Sequence, residues 1–178
     1  MKRYTNKKAA KYFNKVLENV TSDHRVLANA WSDNFGRWFA CDGYRAYRVN
    51  HEPDGLIVTW GIKVIPKAKV ESVYNAVEAM FDASNFEQIE EINVNLDAVI
   101  EVYRNGDGTI DLGDDYPVVN AKYLREAMEM LPDGKVYCTD NAKRMISPVY
   151  VISADGIALI LPIRRESKFH WDYNRKGV

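Results

Sequence analysis

Apolar residues recur along this chain with two periods, and the switches between them divide it into helices and short strands. Residues 5–20, TNKKAAKYFNKVLENV, gather Ala9, Ala10, Tyr12, Phe13, Val16, Leu17 and Val20 on one side at about 100° per residue, which predicts an amphipathic helix. Residues 69–81 repeat the pattern, with Val70, Val73, Tyr74, Val77, Met80 and Phe81 opposite a polar, acidic side of Glu71, Asn75, Glu78 and Asp82. A third helix is predicted over 121–131, capped by Asn120 and stopped by Pro132-Asp133-Gly134. Short apolar or alternating runs predict strands near 25–31, 36–41, 44–49, 60–66, 135–139, 149–153 and 157–163. Residues 92–102 also alternate, with only Val99 out of step, and read as a half-buried strand entering a hairpin.

The turn of that hairpin is expected in RNGDGTIDLGDD, residues 104–115, where Asn105-Gly106 and Asp107-Gly108 tolerate the positive φ that tight turns demand. The same stretch resembles a calcium loop. Setting Gly108 at the invariant glycine position puts Tyr103 where the first carboxylate ligand belongs and Asp114 where a glutamate would bind through both oxygens. With strands expected on both flanks instead of helices, no metal site is assigned.

The first and last parts of the chain share one plan, a helix followed by short antiparallel strands. Two such halves, with the acidic helix inserted between them, make an α+β fold. Length favours one domain over residues 1–166, with 51–95 as an insertion and 167–178 as a C-terminal tail. No apolar run approaches the ~20 residues of a membrane span, and the first residues hold no apolar segment for a signal peptide, so a cytoplasmic location is expected. Cys41 and Cys138 stand far apart without metal-like spacing and read as reduced packing residues.

The formal net charge of −1 conceals a separation. Residues 1–50 carry ten Lys/Arg against four Asp/Glu, 51–118 four against fourteen, and 119–178 ten against seven. Lys7, Lys8, Lys11 and Lys15 lie on the polar side of the first helix. Two of them fall in its first turn, where the helix dipole disfavours positive charge by a few tenths of a kcal/mol to about one each. Solvated surface lysines are one reading; contact with the phosphates of a polyanion is the other, and it accounts better for the placement.

Four segments are specific enough to name a family. VNAKYLREAMEML followed by SPVYVISADGIALILPIRR resembles the end of the bacterial DNA polymerase III sliding clamp (the beta subunit), in which a helix beginning N-x-K-Y-L precedes S-P-V and a final M-P-V-R strand. FACDGYRAYRV resembles the family's A-T-D-G-H-R-L-A, and IKVIPKAKVESV its V-I-I-P-R-K-A-L-x-E-L, in the family's order. The resemblance implies a clamp-like domain whose helices face duplex DNA, and a role as a processivity factor in DNA replication. Family chains carry three such domains and this one has room for about one, so a closed ring would need about six copies; a smaller or open homo-oligomer is equally compatible.

The resemblance also implies the candidate sites. Lys122 and Arg125 on the third helix would join Lys7, Lys8, Lys11 and Lys15 in contacting the DNA backbone. Gly43, Tyr44, Arg45 and Ala46, with Ile160, Leu161, Pro162, Ile163 and Arg164, match segments that line the family's pocket for a short peptide of partner replication proteins. In the family those segments come from successive domains, so structural packing is the competing reading. The aromatic tail residues Phe169, His170, Trp171 and Tyr173 suit stacking on bases or packing on a neighbour. His24, His51 and His170 have no metal-like spacing, and neither a nucleophile motif nor a phosphate-binding glycine loop occurs, so no catalytic residue and no cofactor is assigned. The alternative is a clamp-fold adaptor that binds protein and not DNA.

Overall fold

The computed structural model describes residues 4–20, 26–56, 67–106, 108–140 and 143–163. The expected strand at 60–66, Arg164 and the tail all lie outside these residues.

The first helix, α1 (Asn6–Glu18), starts where Thr5 turns its side-chain oxygen to the Lys8 amide, and it buries Ala9, Ala10, Tyr12, Phe13, Val16 and Leu17. Strands β1 (Trp31–Ser32), β2 (Trp38–Cys41) and β3 (Arg45–Val49) follow as an antiparallel meander. The strand expected from residue 25 begins only at Trp31; Val26 and Leu27 form a 3-10 turn. Helix α2 (Lys67–Ala79) leads through a 3-10 turn, Ala83–Phe86, to β4 (Ile89–Ile92). Helix α3 (Leu96–Asn105), the hairpin β5 (Thr109–Asp111) and β6 (Val118–Asn120), helix α4 (Ala121–Met130), and β7 (Lys135–Thr139), β8 (Val149–Ile152) and β9 (Gly156–Ile160) complete the described elements.

The main sheet has the order β1-β2-β3-β9-β8-β7-β4, antiparallel throughout. It is nearly symmetric about the β3–β9 seam: α1 precedes three strands on one side as α4 precedes three on the other. Side chains alternate across it. Ala40, Tyr47, Val49, Val136, Val149, Val151, Ala158 and Ile160 join α1, α3 and α4 in one core. Phe39, Cys41, Ala46, Tyr150, Ile157 and Leu159 join Val77 and Phe81 in a second core on the opposite face. The inserted acidic helix thus covers the sheet face away from α1 and α4. There Trp31 stacks on Tyr74 with centroids 4.1 Å apart and donates its indole N–H to Glu78 at 2.9 Å.

Residues 92–102 correct the strand expectation. Pairing ends at Ile92, and Asn95 caps α3 by accepting the Asp97 amide at 2.8 Å. Val99 and Val102, spaced as neighbours on a helix, are its buried residues. Val99, which broke the alternation, is fully buried. The expected hairpin therefore does not form; a different one, β5 with β6, follows α3, and its connection is residues 112–117 and not the Asn-Gly and Asp-Gly pairs. Gly106 instead closes α3, its amide donating to Val102 O at 2.8 Å, and a Cβ there would sit 2.7 Å from that oxygen. The 104–115 stretch therefore does have an entering helix, with a strand leaving it; Asp107 is outside the described residues, and among those described no group of His, Cys, Asp or Glu is arranged to hold a metal.

A charged cluster joins the elements under the seam. In the β2–β3 turn the Asp42 carboxylate accepts the amides of Tyr44 (2.9 Å) and Arg45 (3.0 Å), and Gly43 takes φ 90°, which an L side chain would resist. Arg45 points beneath the sheet, 3.1 Å from Asp42 through Nε and 2.5 Å from Glu126 of α4 through Nη1. Lys15 of α1 reaches the other Glu126 oxygen at 2.7 Å, and the Tyr12 hydroxyl donates to Glu129. Arg45 also stacks 4.2 Å from the Tyr123 ring centroid and donates to the Tyr47 hydroxyl at 3.2 Å.

Asp42 and Glu126 are wholly buried and Arg45 is 2% exposed. Burial acts to raise the Glu126 pKa, but the hydrogen bonds and charges of Lys15 and Arg45 outweigh it and hold the carboxyl below its ordinary value. Arg45 is held above its ordinary value: burial lowers it, and its neighbours Tyr47, Glu126 and Asp42 more than compensate.

Removing one member leaves a buried charge without its partner, so Glu126→Ala should lower the unfolding free energy by about 3–5 kcal/mol in urea melts. Glu18→Ala, at an exposed position of α1, should change it by no more than about 0.5 kcal/mol. Because the folded-state value of Glu126 is depressed, its contribution is present above the unfolded value of about 4.3 and lost as pH falls through the lower folded value. Acid titration of stability should therefore show a steep loss below about pH 4.3 in the native chain that is shallower in Glu126→Ala.

Candidate nucleic-acid and partner interface

Helices α1 and α4 pack on the same face of the sheet and touch each other through Tyr12–Glu129 and Lys15–Glu126. Of the six basic residues expected on this surface, Lys7, Lys11 and Lys122 are exposed and Lys8 is half-buried. Lys15 turns inward to Glu126, leaving its side chain 33% exposed, and both it and Lys11 lie over the Tyr12 ring, at 5.1 and 5.3 Å. Arg125 stacks 4.3 Å from the Tyr103 ring centroid and lies 3.8 Å from Glu129 and 4.0 Å from Glu126, with its side chain 19% exposed. Two of the six charges are thus bound into packing between helices. The signal for this was present in the sequence as Glu126 and Glu129, but it needs knowledge of which face each helix presents to the other.

The residues of the peptide-pocket expectation divide similarly. Arg45, Ala46 and Ile160 are buried, Arg45 in the charged cluster and the other two in opposite cores. Gly43 shapes the turn. Tyr44, Leu161 and Ile163 are 50%, 38% and 38% exposed, with Pro162 half-buried between the last two. The Leu161 amide donates to Tyr44 O at 2.9 Å and the Ile163 amide to Val118 O at 2.7 Å, so β9 runs on past its sheet partner toward the β5–β6 hairpin.

Two residues that sequence reasoning missed belong to the same end of the sheet. Met145 and Ile146, 42% and 72% exposed, stand on the 3-10 turn Arg144–Ile146 between β7 and β8. Val149, at the start of β8, pairs with Ile160, and Ile160 with Arg45, which places this turn at the Tyr44–Leu161 end. Arg144 fixes it: its guanidinium meets Asp140 at 2.6 Å and Glu90 at 3.0 Å and lies 4.9 Å from the Tyr116 ring, whose hydroxyl donates to Glu90 at 2.8 Å. Five of the seven exposed large hydrophobic residues among those described therefore collect at one end of the sheet.

No family model matches the chain, and no curated protein matches it in sequence. In structure it is similar to the Helicobacter pylori beta clamp, solved bound to a DNA ligase peptide, with a TM-score of 0.52 and 15% identity over 89% of this chain and 63% of that one. DNA polymerase III subunit beta from Borrelia burgdorferi (TM-score 0.46, 12% identity, 87% of this chain and 62% of that one) and the C. crescentus beta sliding clamp (0.47, 12%, 90% and 64%) also match. The chain spans less than two thirds of the length of these clamps. At such identity the likeness concerns architecture, and the architecture is a divergent, α+β, sliding-clamp-like fold.

Proposed function

We propose that this chain is a non-catalytic, sliding-clamp-like protein that associates with duplex DNA through the backbone and tethers replication proteins. The observation that carries the reading is the clamp-like placement of α1 and α4 side by side on one sheet face, with Lys7, Lys8, Lys11 and Lys122 at its surface. Lysines on long stems neutralise phosphates without reading bases, so binding is sequence-independent and salt-sensitive. One clamp-like unit over residues 1–166, with 51–95 inserted, supplies α1 and α4 to such a surface, with α3 packed on the same sheet face, and several copies, in a ring or an open assembly, would extend it along the duplex.

A protein-binding adaptor is the second reading, favoured by the apolar end around Tyr44, Met145, Ile146, Leu161 and Ile163. The two readings share that end as a partner site and part over DNA.

Replacing Lys7, Lys8, Lys11 and Lys122 with Gln should weaken duplex binding on every sequence and flatten the slope of log affinity against log salt by roughly 0.9 for each lost phosphate contact. Lys15→Gln should lower stability and leave that slope nearly unchanged, since its charge is turned to Glu126. A slope unmoved by the fourfold variant, with helix content intact, favours the adaptor.

At the apolar end, Leu161→Ala should reduce binding of a clamp-binding peptide, such as one from DNA ligase, while stability changes by no more than about 1 kcal/mol. Ile160→Ala, emptying a fully buried site one residue away, should cost about 2–5 kcal/mol in thermal or urea unfolding.

A further inference from the structure

The apolar end of the sheet is exposed and lies where the described residues end at Ile163. Leu161 is held to Tyr44 and Ile163 to Val118 by backbone hydrogen bonds. Met145 and Ile146 are held in place by Arg144 between Asp140, Glu90 and Tyr116, and Tyr116 is two residues from Val118. These contacts form a continuous path from Tyr44 to Ile146. Exposed apolar residues gathered in this way mark an interaction site.

The sequence beyond Ile163, RRESKFHWDYNRKGV, supplies an occupant for it. Phe169 follows Ile163 by six residues, a reach of about 20 Å when extended, and Trp171 by eight, which is enough chain to turn back toward Leu161 and its neighbours. Charge agrees: residues 164–178 carry five Lys/Arg against two Asp/Glu. Exposed Asp114 and Asp115 lie on the loop just before Val118, Asp140 is 59% exposed beside Arg144, and Glu87 is exposed before β4.

We propose that residues 167–178 cover this apolar end in the same chain, with Phe169 and Trp171 packed on Tyr44, Met145, Ile146, Leu161 and Ile163. The tail then acts as a built-in competitor for whatever peptide the end receives. Because it is tethered, its local concentration is on the order of millimolar, which a free peptide must exceed or outbind. The proposal shares its surface with the partner-site reading and is independent of DNA contact.

Thiol labelling of the full chain tests it. Cys41 and Cys138 are buried, and burial pushes their thiols up to about 11 and about 12, so they form a silent background. Ile146→Cys places a reporter at a position already 72% exposed, where substitution leaves the fold intact. Its modification by a bulky thiol reagent should accelerate at least tenfold when Phe169→Ser and Trp171→Ser are added, and Met145→Cys should respond alike. Under mild oxidation, Ile146→Cys with Trp171→Cys should form a disulfide within one chain. An unchanged labelling rate at both reporters overturns the proposal, and so does a disulfide formed only between chains, which would assign the tail to a second copy. Either failure leaves peptide binding at Leu161 to be judged by its own measurement.

Discussion

The pairing of Arg45 with Asp42 and Glu126 is the constraint on which the arrangement of helices and sheet depends. A guanidinium under a sheet is tolerable only where carboxylates meet it at hydrogen-bond distance, and here one comes from the adjoining turn and the other from α4. Satisfying both fixes the height of α4 over β3. Lys15 and Tyr12 then fix α1 against α4, because Glu126 and Glu129 must also find donors. Replacing the set with apolar residues of similar volume need not destabilise the fold, but it would release the register between the two helices. The cluster is therefore better understood as a locating device than as a source of stability.

This bears on how much of the site was legible in the sequence. Asp42-Gly43-Tyr44-Arg45 stood out as a motif, and its residues are important. Two of them, however, serve the interior: Asp42 as turn and counter-ion, Arg45 as the buried cation. Spacing shows that four residues act together but not whether they face outward. The lysines divide for the same reason. A helical projection separates Lys7, Lys8, Lys11 and Lys15 from the apolar side, yet Lys15 lies at the border, where a neighbouring helix decides its fate. Met145 and Ile146 escaped notice because a short apolar pair in a connection has no period to betray it.

The fold was more readable where period and punctuation agreed. Helix α4 and β7 lie where Asn120, Pro132-Asp133-Gly134 and the apolar spacing put them. Helix α3 was lost because its apolar residues also satisfy a period of two from 92 to 102, and the deciding signal was the single exception, Val99, together with the cap at Asn95. The placement of α2 on the opposite face was beyond reach, since an amphipathic helix declares that it has a buried side and not which surface it will cover.

The seam at the centre of the sheet has a consequence for how the chain reaches this structure. β3 and β9 pair from Arg45–Ile160 to Val49–Gly156, so the middle of the sheet joins residues separated by more than a hundred positions. Each flank can assemble from local contacts: β1, β2 and β3 with α1 on one side, and β7, β8 and β9 with α4 on the other. The seam closes a loop that holds most of the chain, and its entropic cost must be met before the long-range contacts return anything. During synthesis the first flank must wait, with one edge of β3 open, until β9 has emerged. Closure of the seam is thus the natural slow step of folding, and the open edge of β3 is the surface that most needs protection until then.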